Sequence, residues 1–108
     1  IVTSFGRNIS PEWIEGLLCE HRAIAQAMVY GDHAARLSAL IVARGTNEAV
    51  AAAIAAVNAQ LPEYARVARW RQVAPFTPAN GLLTGNGRLR RPQISSVHLT
   101  PEVADAVL

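Results

Sequence analysis

The spacing of apolar positions along the first third of the 108-residue chain predicts a strand followed by a helix. Ile1 to Ser4 is a short, β-branched apolar run that ends before Gly6, as expected of a strand. Ser10-Pro11-Glu12 then combines a capping serine, a proline at the first helical position and an acid near the positive helix end. The following apolar face repeats at helical spacing and contains Trp13, Ile14, Leu17, Leu18 and His21.

The middle of the chain predicts two strands and a second helix. Ile24 to Tyr30 and Leu37 to Val42 are mostly apolar runs around Gly31-Asp32-His33, a pattern typical of two strands joined by a loop. Thr46-Asn47-Glu48 begins the second helix, and Pro62 ends it. The apolar stripe of this helix consists of Val50, Ile54, Val57 and Leu61.

The last third is less regular. Arg66 to Val73 alternates imperfectly between arginines and apolar residues, which predicts a half-buried strand. Residues 74–99 are rich in loop-forming residues, and Thr100-Pro101-Glu102 has the signals of a last short helix. The predicted order is therefore β-α-β-β-α-β, followed by an irregular C-terminal arm and a short helix. This order is typical of a small two-layer α+β domain with helices packed on a small sheet.

Composition narrows the class of protein. The length fits one domain, and 51% hydrophobic residues suffice for a modest core. The net charge of +2 is small for a nucleic-acid-binding surface. The single cysteine, Cys19, has no intrachain partner, which fits a reducing compartment. No apolar run approaches the ~20 residues of a membrane span. We expect a cytoplasmic protein without a transmembrane segment. Because the chain begins at Ile1, we also expect it to be part of something longer.

Several residues with possible chemistry have simpler explanations. The three histidines are far apart in sequence without ligand spacing, so no metal site is predicted. Cys19 follows Leu18 on the first helix, where a small apolar side chain is the default. Trp13 and Trp70 are expected to pack in the core or at its rim.

The stretch NGLLTGNGRLRR, residues 80–91, is the most distinctive candidate site. It contains three of the ten cationic residues of the chain, all of which are arginine. Gly85-Asn86-Gly87 lacks the strand–turn–helix context of a phosphate-binding loop. A flexible turn that presents Arg88 is the favoured interpretation.

Two stretches carry a family resemblance: TSFGRNISPEWIE at residues 3–15 and LPEYARVARWRQVAPFTPANGLLTGNGRLRR at residues 61–91. Together, in this order and at this separation, they resemble the C-terminal domain of the acyl-adenylate-forming enzymes. This superfamily includes acyl- and aryl-CoA synthetases, luciferase and the adenylation domains of peptide synthetases. The NGLLT segment is most similar to long-chain fatty acyl-CoA synthetases and to the adenylation domains of carboxylic acid reductases.

The resemblance implies a reaction in two steps. A large N-terminal domain holds ATP and the carboxylate, and the small domain closes over it. A lysine from a T-x-x-G-K-x-x-R loop contacts the carboxylate and nucleotide oxygens as acyl-adenylate forms. The small domain then rotates, and another face, with the stretch S-G-x-x-x-[IV]-x-P, lines the tunnel for the thiol acceptor.

The same resemblance assigns the loop residues. Thr84, Gly87, Arg88 and Arg91 match T-x-x-G-K-x-x-R, with Arg88 at the position of the catalytic lysine. Thr84, Gly87 and Arg91 are then loop-supporting residues.

The acceptor stretch matches less completely. Gly6, Arg7 and Asn8 are assigned to the tunnel for coenzyme A or another thiol, and Glu15 matches the closing glutamate of the motif. Phe5 stands where a second glycine is usual, and its side chain disfavours close approach of a pantetheine arm to the backbone at this position. Gly6 and Arg88 are expected on different sides of the domain.

Arginine at the lysine position leaves three interpretations open. Arg88 keeps the charge as a broad planar fork instead of a compact ammonium group. It serves in catalysis within a chain that has no lysine at all, or it marks an enzyme weak or inactive in adenylation. In the third interpretation the alignment is shifted, and Arg90 or Arg91 takes the role. Otherwise Arg90 and Arg91 are predicted to be a solvated loop end.

The leading functional hypothesis is a C-terminal lid domain, residues 1–108, of an ATP-dependent acyl-CoA synthetase-like ligase. The full-length enzyme would use ATP and Mg²⁺, whereas this chain alone is expected to be inactive and to hold neither. Its partners would be its own N-terminal adenylation domain, the acyl substrate, and coenzyme A or a carrier-protein pantetheine arm.

The alternative is a non-catalytic ferredoxin-like regulatory or ligand-binding module, for which a Gly/Arg loop at residues 84–91 is unnecessary. A nucleic-acid binder is disfavoured, since aromatic and basic residues are not interleaved except at Trp70.

Overall fold

The computed structural model describes residues 8–31 and 36–99. The predicted strand at residues 1–4, the tunnel residues Gly6 and Arg7, and the helix predicted from Thr100 lie outside the described residues. The chain divides into two compact units, Ile1–Pro75 and Phe76–Leu108.

The helices and strands of the first unit that the structure describes follow one another in the predicted order. Its elements are helix α1 (Pro11–Cys19), strands β1 (Ile24–Tyr30) and β2 (Leu37–Ala43), helix α2 (Asn47–Gln60), a 3-10 turn (Glu63–Ala65) and strand β3 (Val67–Gln72). The prediction of a small α+β domain is therefore confirmed.

The described strands form one sheet in the order β1-β2-β3. β1 and β2 are antiparallel, with Val29 opposite Ala39, whereas β3 runs parallel to β2, with Trp70 also opposite Ala39. A parallel neighbour requires a crossover connection, and α2 supplies it.

The core lies between the two helices and one face of this sheet. Ile14 and Leu18 of α1 are fully buried, and α2 contributes Val50, Ile54 and Val57 as its spacing predicts. Trp70 packs against the rim of this cluster, as predicted. Trp13 is 46% exposed and is not among the residues that pack against this cluster, so the prediction that it packs in the core or at its rim is wrong. The physical reason is angular: Ile14 and Leu18 occupy the inward face of α1, and Trp13 lies about 100° away from Ile14.

The predicted starts of α1 and α2 are both at the correct residue, but only one of them has a capping hydrogen bond. Thr46 precedes α2, and its Oγ1 accepts a hydrogen bond from the Ala49 N–H at 3.1 Å. Ser10 precedes α1 but caps no backbone N–H; its Oγ instead donates to Glu12 Oε1 at 3.4 Å. The predicted serine cap therefore marks the right residue without making the capping hydrogen bond.

The second unit contains a helix that the sequence analysis missed. Residues 91–98, predicted as loop, form helix α3 (Arg91–His98). Its apolar periodicity is weak, since Ile94 is its buried residue and Val97 is 60% exposed. Arg91 is consequently the first residue of a helix and is partly buried, so the predicted solvated loop end is wrong for this residue.

Among the described helices, none has the length and apolar character needed to cross a membrane.

Candidate functional site

Arg88 lies at the end of a tight hairpin turn in the second unit. Leu83 and Leu89 form an antiparallel bridge, and the Thr84 N–H donates to the Arg88 carbonyl at 2.8 Å. Between them the Gly87 N–H donates to the Thr84 carbonyl at 3.0 Å, which closes a four-residue turn. The turn places residue 88 next to a short antiparallel bridge that is closed by backbone hydrogen bonds.

The Thr84 side chain holds this turn from within. Its Oγ1 accepts the Arg88 N–H at 3.0 Å and donates to Asn86 Oδ1. Side-chain hydrogen bonds of this kind to nearby backbone are what threonine contributes in turns. The Thr84 hydroxyl group therefore bonds to both Asn86 within the turn and Arg88 at its end.

Gly87 supplies a backbone conformation that other residues avoid. Its φ is +88°, in the left-handed region, and an added Cβ would meet no atom within 4 Å. The constraint at this position is therefore the backbone dihedral angle, not the available space.

The Arg88 side chain is exposed, and none of the described residues forms a hydrogen bond or ion pair with it. Arg90 donates its N–H to the Leu82 carbonyl at 3.0 Å and is the exposed N-cap of α3. Arg91 begins that helix, whose first turn contains no acidic residue. Cations at a helix N-terminus are electrostatically unfavourable unless an anion is near. The exposed Arg88 and Arg90 thus lie close in sequence to the start of α3.

A second turn, which sequence reasoning missed, anchors the start of the hairpin. Asn80 Oδ1 accepts the N–H groups of Thr77 at 3.0 Å and Leu82 at 3.1 Å, and Thr77 Oγ1 accepts the Asn80 N–H at 3.0 Å. Gly81 follows with a φ of +80°. The signal was present in the sequence: threonine, proline, asparagine and glycine at 77–81 are the residues of a hydrogen-bonded turn.

The other predicted residues belong to the first unit. Asn8 is exposed, three residues before α1, whereas Gly6 and Arg7 are outside the described part. The expected separation of Gly6 from Arg88 therefore remains a prediction.

Glu15, which matches the closing glutamate of the acceptor motif, is buried on α1, with 7% of its surface exposed. Its Oε2 accepts the Val29 N–H of β1 at 2.7 Å.

Cys19 is exposed at the last position of α1, so it is not the packed apolar residue expected there. Partial burial of the thiol is the main cause that raises its pKa, and the Glu15 carboxylate raises it further. Arg44 and a backbone hydrogen bond from Ala27 act in the opposite direction. The environment of this thiol therefore favours its neutral form.

Within residues 8–31 and 36–99, no three His, Cys, Asp or Glu side chains gather into a group that could hold a metal ion.

The fold and the hairpin define a small α+β domain with an arginine-bearing turn. Residues 1–99 match the family model of the AMP-binding enzyme C-terminal domain, and the chain belongs to this family.

Solved adenylate-forming enzymes share the fold. The adenylation domain of carboxylic acid reductase from Segniliparus rugosus, in complex with AMP and a co-purified carboxylic acid, has a TM-score of 0.83 and 20% identity. The corresponding domain from Mycobacterium chelonae has a TM-score of 0.81 and 21% identity. In both cases 99% of this chain is covered, but only 19% of the larger chain.

An acyl-CoA synthetase from Brucella canis has a TM-score of 0.69 and 22% identity, and the match covers 94% of this chain and 20% of that one. The chain therefore spans about a fifth of these enzymes. No curated protein matches it in sequence.

Proposed function

We propose that residues 1–108 act as the C-terminal lid of an ATP-dependent acid–thiol ligase, of the long-chain fatty acyl-CoA synthetase type. The reaction joins a carboxylate and ATP into acyl-adenylate and then transfers the acyl group to a thiol. Family membership supports the class. The Brucella canis relative is an acyl-CoA synthetase, and the Segniliparus rugosus domain is bound to AMP and a carboxylic acid.

In this proposal an N-terminal domain of the full-length enzyme holds ATP, Mg²⁺ and the acyl substrate in the cytoplasm. The chain by itself is inactive, since the complete site needs that domain. The thiol comes from coenzyme A or from a carrier-protein arm. The structural neighbours support the latter as well, because one of them is an adenylation–carrier didomain of carboxylic acid reductase.

The observation that carries the proposal is the exposed, uncommitted Arg88 on the turn held by Thr84. Negative charge builds on carboxylate and phosphate oxygens as acyl-adenylate forms. A fixed donor aimed at such oxygens in a water-excluded site is worth about 2.7–4 kcal/mol, by analogy with oxyanion-hole donors. As an exposed cation with no hydrogen-bond or ion-pair partner among the described residues, Arg88 is available to supply this stabilisation when the lid closes.

Arginine at this position has a specific cost. Its planar guanidinium is wider and flatter than a compact ammonium group and presents its donors in fixed directions, so it needs more room among the oxygens of the carboxylate and the nucleotide. We therefore infer that Arg88 supports adenylation, and that lysine at the same position would support it better.

The thiol-transfer step depends on the segment before α1 in this proposal. Gly6, Arg7 and Asn8 line the approach of the thiol, and the exposure of Asn8 is compatible with that role.

ATP–pyrophosphate exchange by the protein that carries this chain tests the role of Arg88. The variant Arg88→Ala should slow exchange by about a hundredfold or more, which corresponds to one lost donor, and Arg88→Lys should raise the rate. Arg90→Ala is the matched control, because Arg90 is also exposed but sits two residues farther along.

Two results would count against this assignment. If Arg88→Ala leaves exchange unchanged while Arg90→Ala or Arg91→Ala abolishes it, the role belongs to a different arginine. If the wild-type protein shows no exchange and all three substitutions are silent, this loop has lost its adenylation role.

A further inference from the structure

Glu15 is a carboxylate in an unusual environment. Among the described residues it is the only charged side chain that is buried, and its neighbours on α1, Ile14 and Leu18, belong to the apolar core. Burial of a carboxylate is unfavourable unless hydrogen bonds replace its water. Its contacts therefore indicate what the residue does.

The hydrogen bond from Val29 places Glu15 at the edge of the sheet. β1 is an edge strand among the described strands, and such a strand has backbone N–H groups that point away from its neighbour. Glu15 Oε2 accepts one of these from Val29 at 2.7 Å. A short bond between a carboxylate and a buried N–H is among the stronger hydrogen bonds in proteins.

Cys19 repeats the contact one helical turn later. Glu15 and Cys19 are four residues apart, about 6 Å along a helix, and Val29 and Ala27 are two residues apart, about 6.6 Å along a strand. The Ala27 backbone lies near enough to the Cys19 thiol to lower its pKa. The two spacings match, so α1 runs antiparallel to β1.

The segment that leads into α1 packs on the same core as the helix. Ile9 is 3% exposed and belongs to the same core cluster as Ile14 and Leu18, whereas Asn8 is exposed beside it. A shift of α1 along β1 would therefore carry Ile9 and Asn8 with it.

We propose that Glu15 is a positioning residue for the thiol-transfer step: its bond to Val29 holds α1 against β1 and thereby fixes Asn8 in the thiol approach. The inference rests on the proposed function, which assigns that approach to the segment before α1. The inference adds Glu15 to the proposed function as a residue that contacts no substrate and acts through the position of α1.

The test uses the protein that carries this chain and measures both half-reactions separately. In Glu15→Ala, thioester formation from supplied acyl-adenylate should fall by about tenfold to a hundredfold, the loss typical of a misplaced group. ATP–pyrophosphate exchange should stay within about twofold of the wild-type rate, because in this proposal the group that acts in adenylate formation is Arg88 and not a residue of α1. Glu15→Gln keeps an acceptor for the Val29 N–H and should recover most of the transfer rate.

Glu12→Gln is the matched control, since Glu12 is an exposed carboxylate on the same helix; both half-reactions should be unchanged. If Glu15→Ala lowers both half-reactions in proportion to the folded fraction measured by circular dichroism, Glu15 is merely structural and the proposal is overturned. Unchanged transfer in a folded Glu15→Ala protein also overturns it.

Amide hydrogen exchange separates this inference from the proposed function. If the wild-type protein catalyses neither half-reaction, the proposed function fails, and exchange at Ile9 and Val29 alone decides whether Glu15 positions the segment. Faster exchange at both amides in Glu15→Ala, but not in Glu12→Gln, supports the positioning. Equal exchange in the two variants overturns it.

Discussion

Gly87 shows how one residue sets the geometry of the Arg88 turn. Because its φ is +88° and the space around it is free, Gly87→Ala should strain the backbone by about 1–2 kcal/mol. The amides of Thr84 and Arg88 should then exchange with solvent about 5–30 times faster. Gly85→Ala is the control, since an added Cβ there also meets no atom within 4 Å and Gly85 has no positive φ. Equal acceleration in both variants would show that the dihedral angle of Gly87 is not the constraint.

Cys19 provides a pH-dependent probe of α1. Burial and the Glu15 carboxylate raise the pKa of its thiol, so less of it is thiolate at pH 8 than in an unfolded chain. Alkylation by iodoacetamide should therefore be slower in the folded chain, and its midpoint should lie at higher pH. Arg44→Gln should slow the reaction further, because Arg44 lowers this pKa. Alkylation that is faster in Arg44→Gln than in wild type would contradict this account.

The same pKa shift has a consequence for stability. A thiol whose pKa is raised by folding contributes stability below its unfolded pKa, and that contribution is lost as pH rises through the folded value. Since Cys19 is the only cysteine, the alkylation rate reports on this one group.

The two helix starts of the first unit offer a matched pair at the scale of elements. Thr46 Oγ1 caps α2 through the Ala49 N–H, so Thr46→Ala should lower the free energy of unfolding by about 1 kcal/mol. Ser10 makes no capping hydrogen bond to the backbone of α1, and Ser10→Ala should cost less than about 0.5 kcal/mol. Urea unfolding of the chain measures both values. Equal losses would mean that the two caps are energetically equivalent.

The elements that the sequence predicted well are those with strong periodicity. The stripe Val50, Ile54, Val57 and the flanking Thr46 and Pro62 specify α2, because spacing, cap and stop agree. α3 was missed since a single buried residue, Ile94, cannot establish a period. The sequence also gives no signal for the start of α3, because arginines occupy the positions at which a capping serine or an acidic residue would be expected.

The candidate site was predictable to the extent that it depends on local sequence. Thr84, Gly87 and Arg88 lie within five residues, and their turn follows from the side-chain hydrogen bond and the glycine conformation. The hydrogen bond of Glu15 was not predictable, because its partner Val29 is 14 residues away and the bond exists only once α1 lies against β1.

The whole molecule keeps the residues of the two proposed half-reactions in separate units. Arg88 and its turn belong to Phe76–Leu108, whereas Asn8, Glu15 and α1 belong to Ile1–Pro75. In the proposed reaction, changes to the Arg88 turn should affect the formation of acyl-adenylate, and changes to α1 should affect thiol transfer.

The central claim is that Arg88 acts in the formation of acyl-adenylate and not in its consumption. The most direct measurement compares two rates in Arg88→Ala: ATP–pyrophosphate exchange and thioester formation from supplied acyl-adenylate. We predict that exchange falls by about a hundredfold while thioester formation stays within about twofold of wild type. An equal fall in both rates, or a fall confined to thioester formation, would contradict the claim.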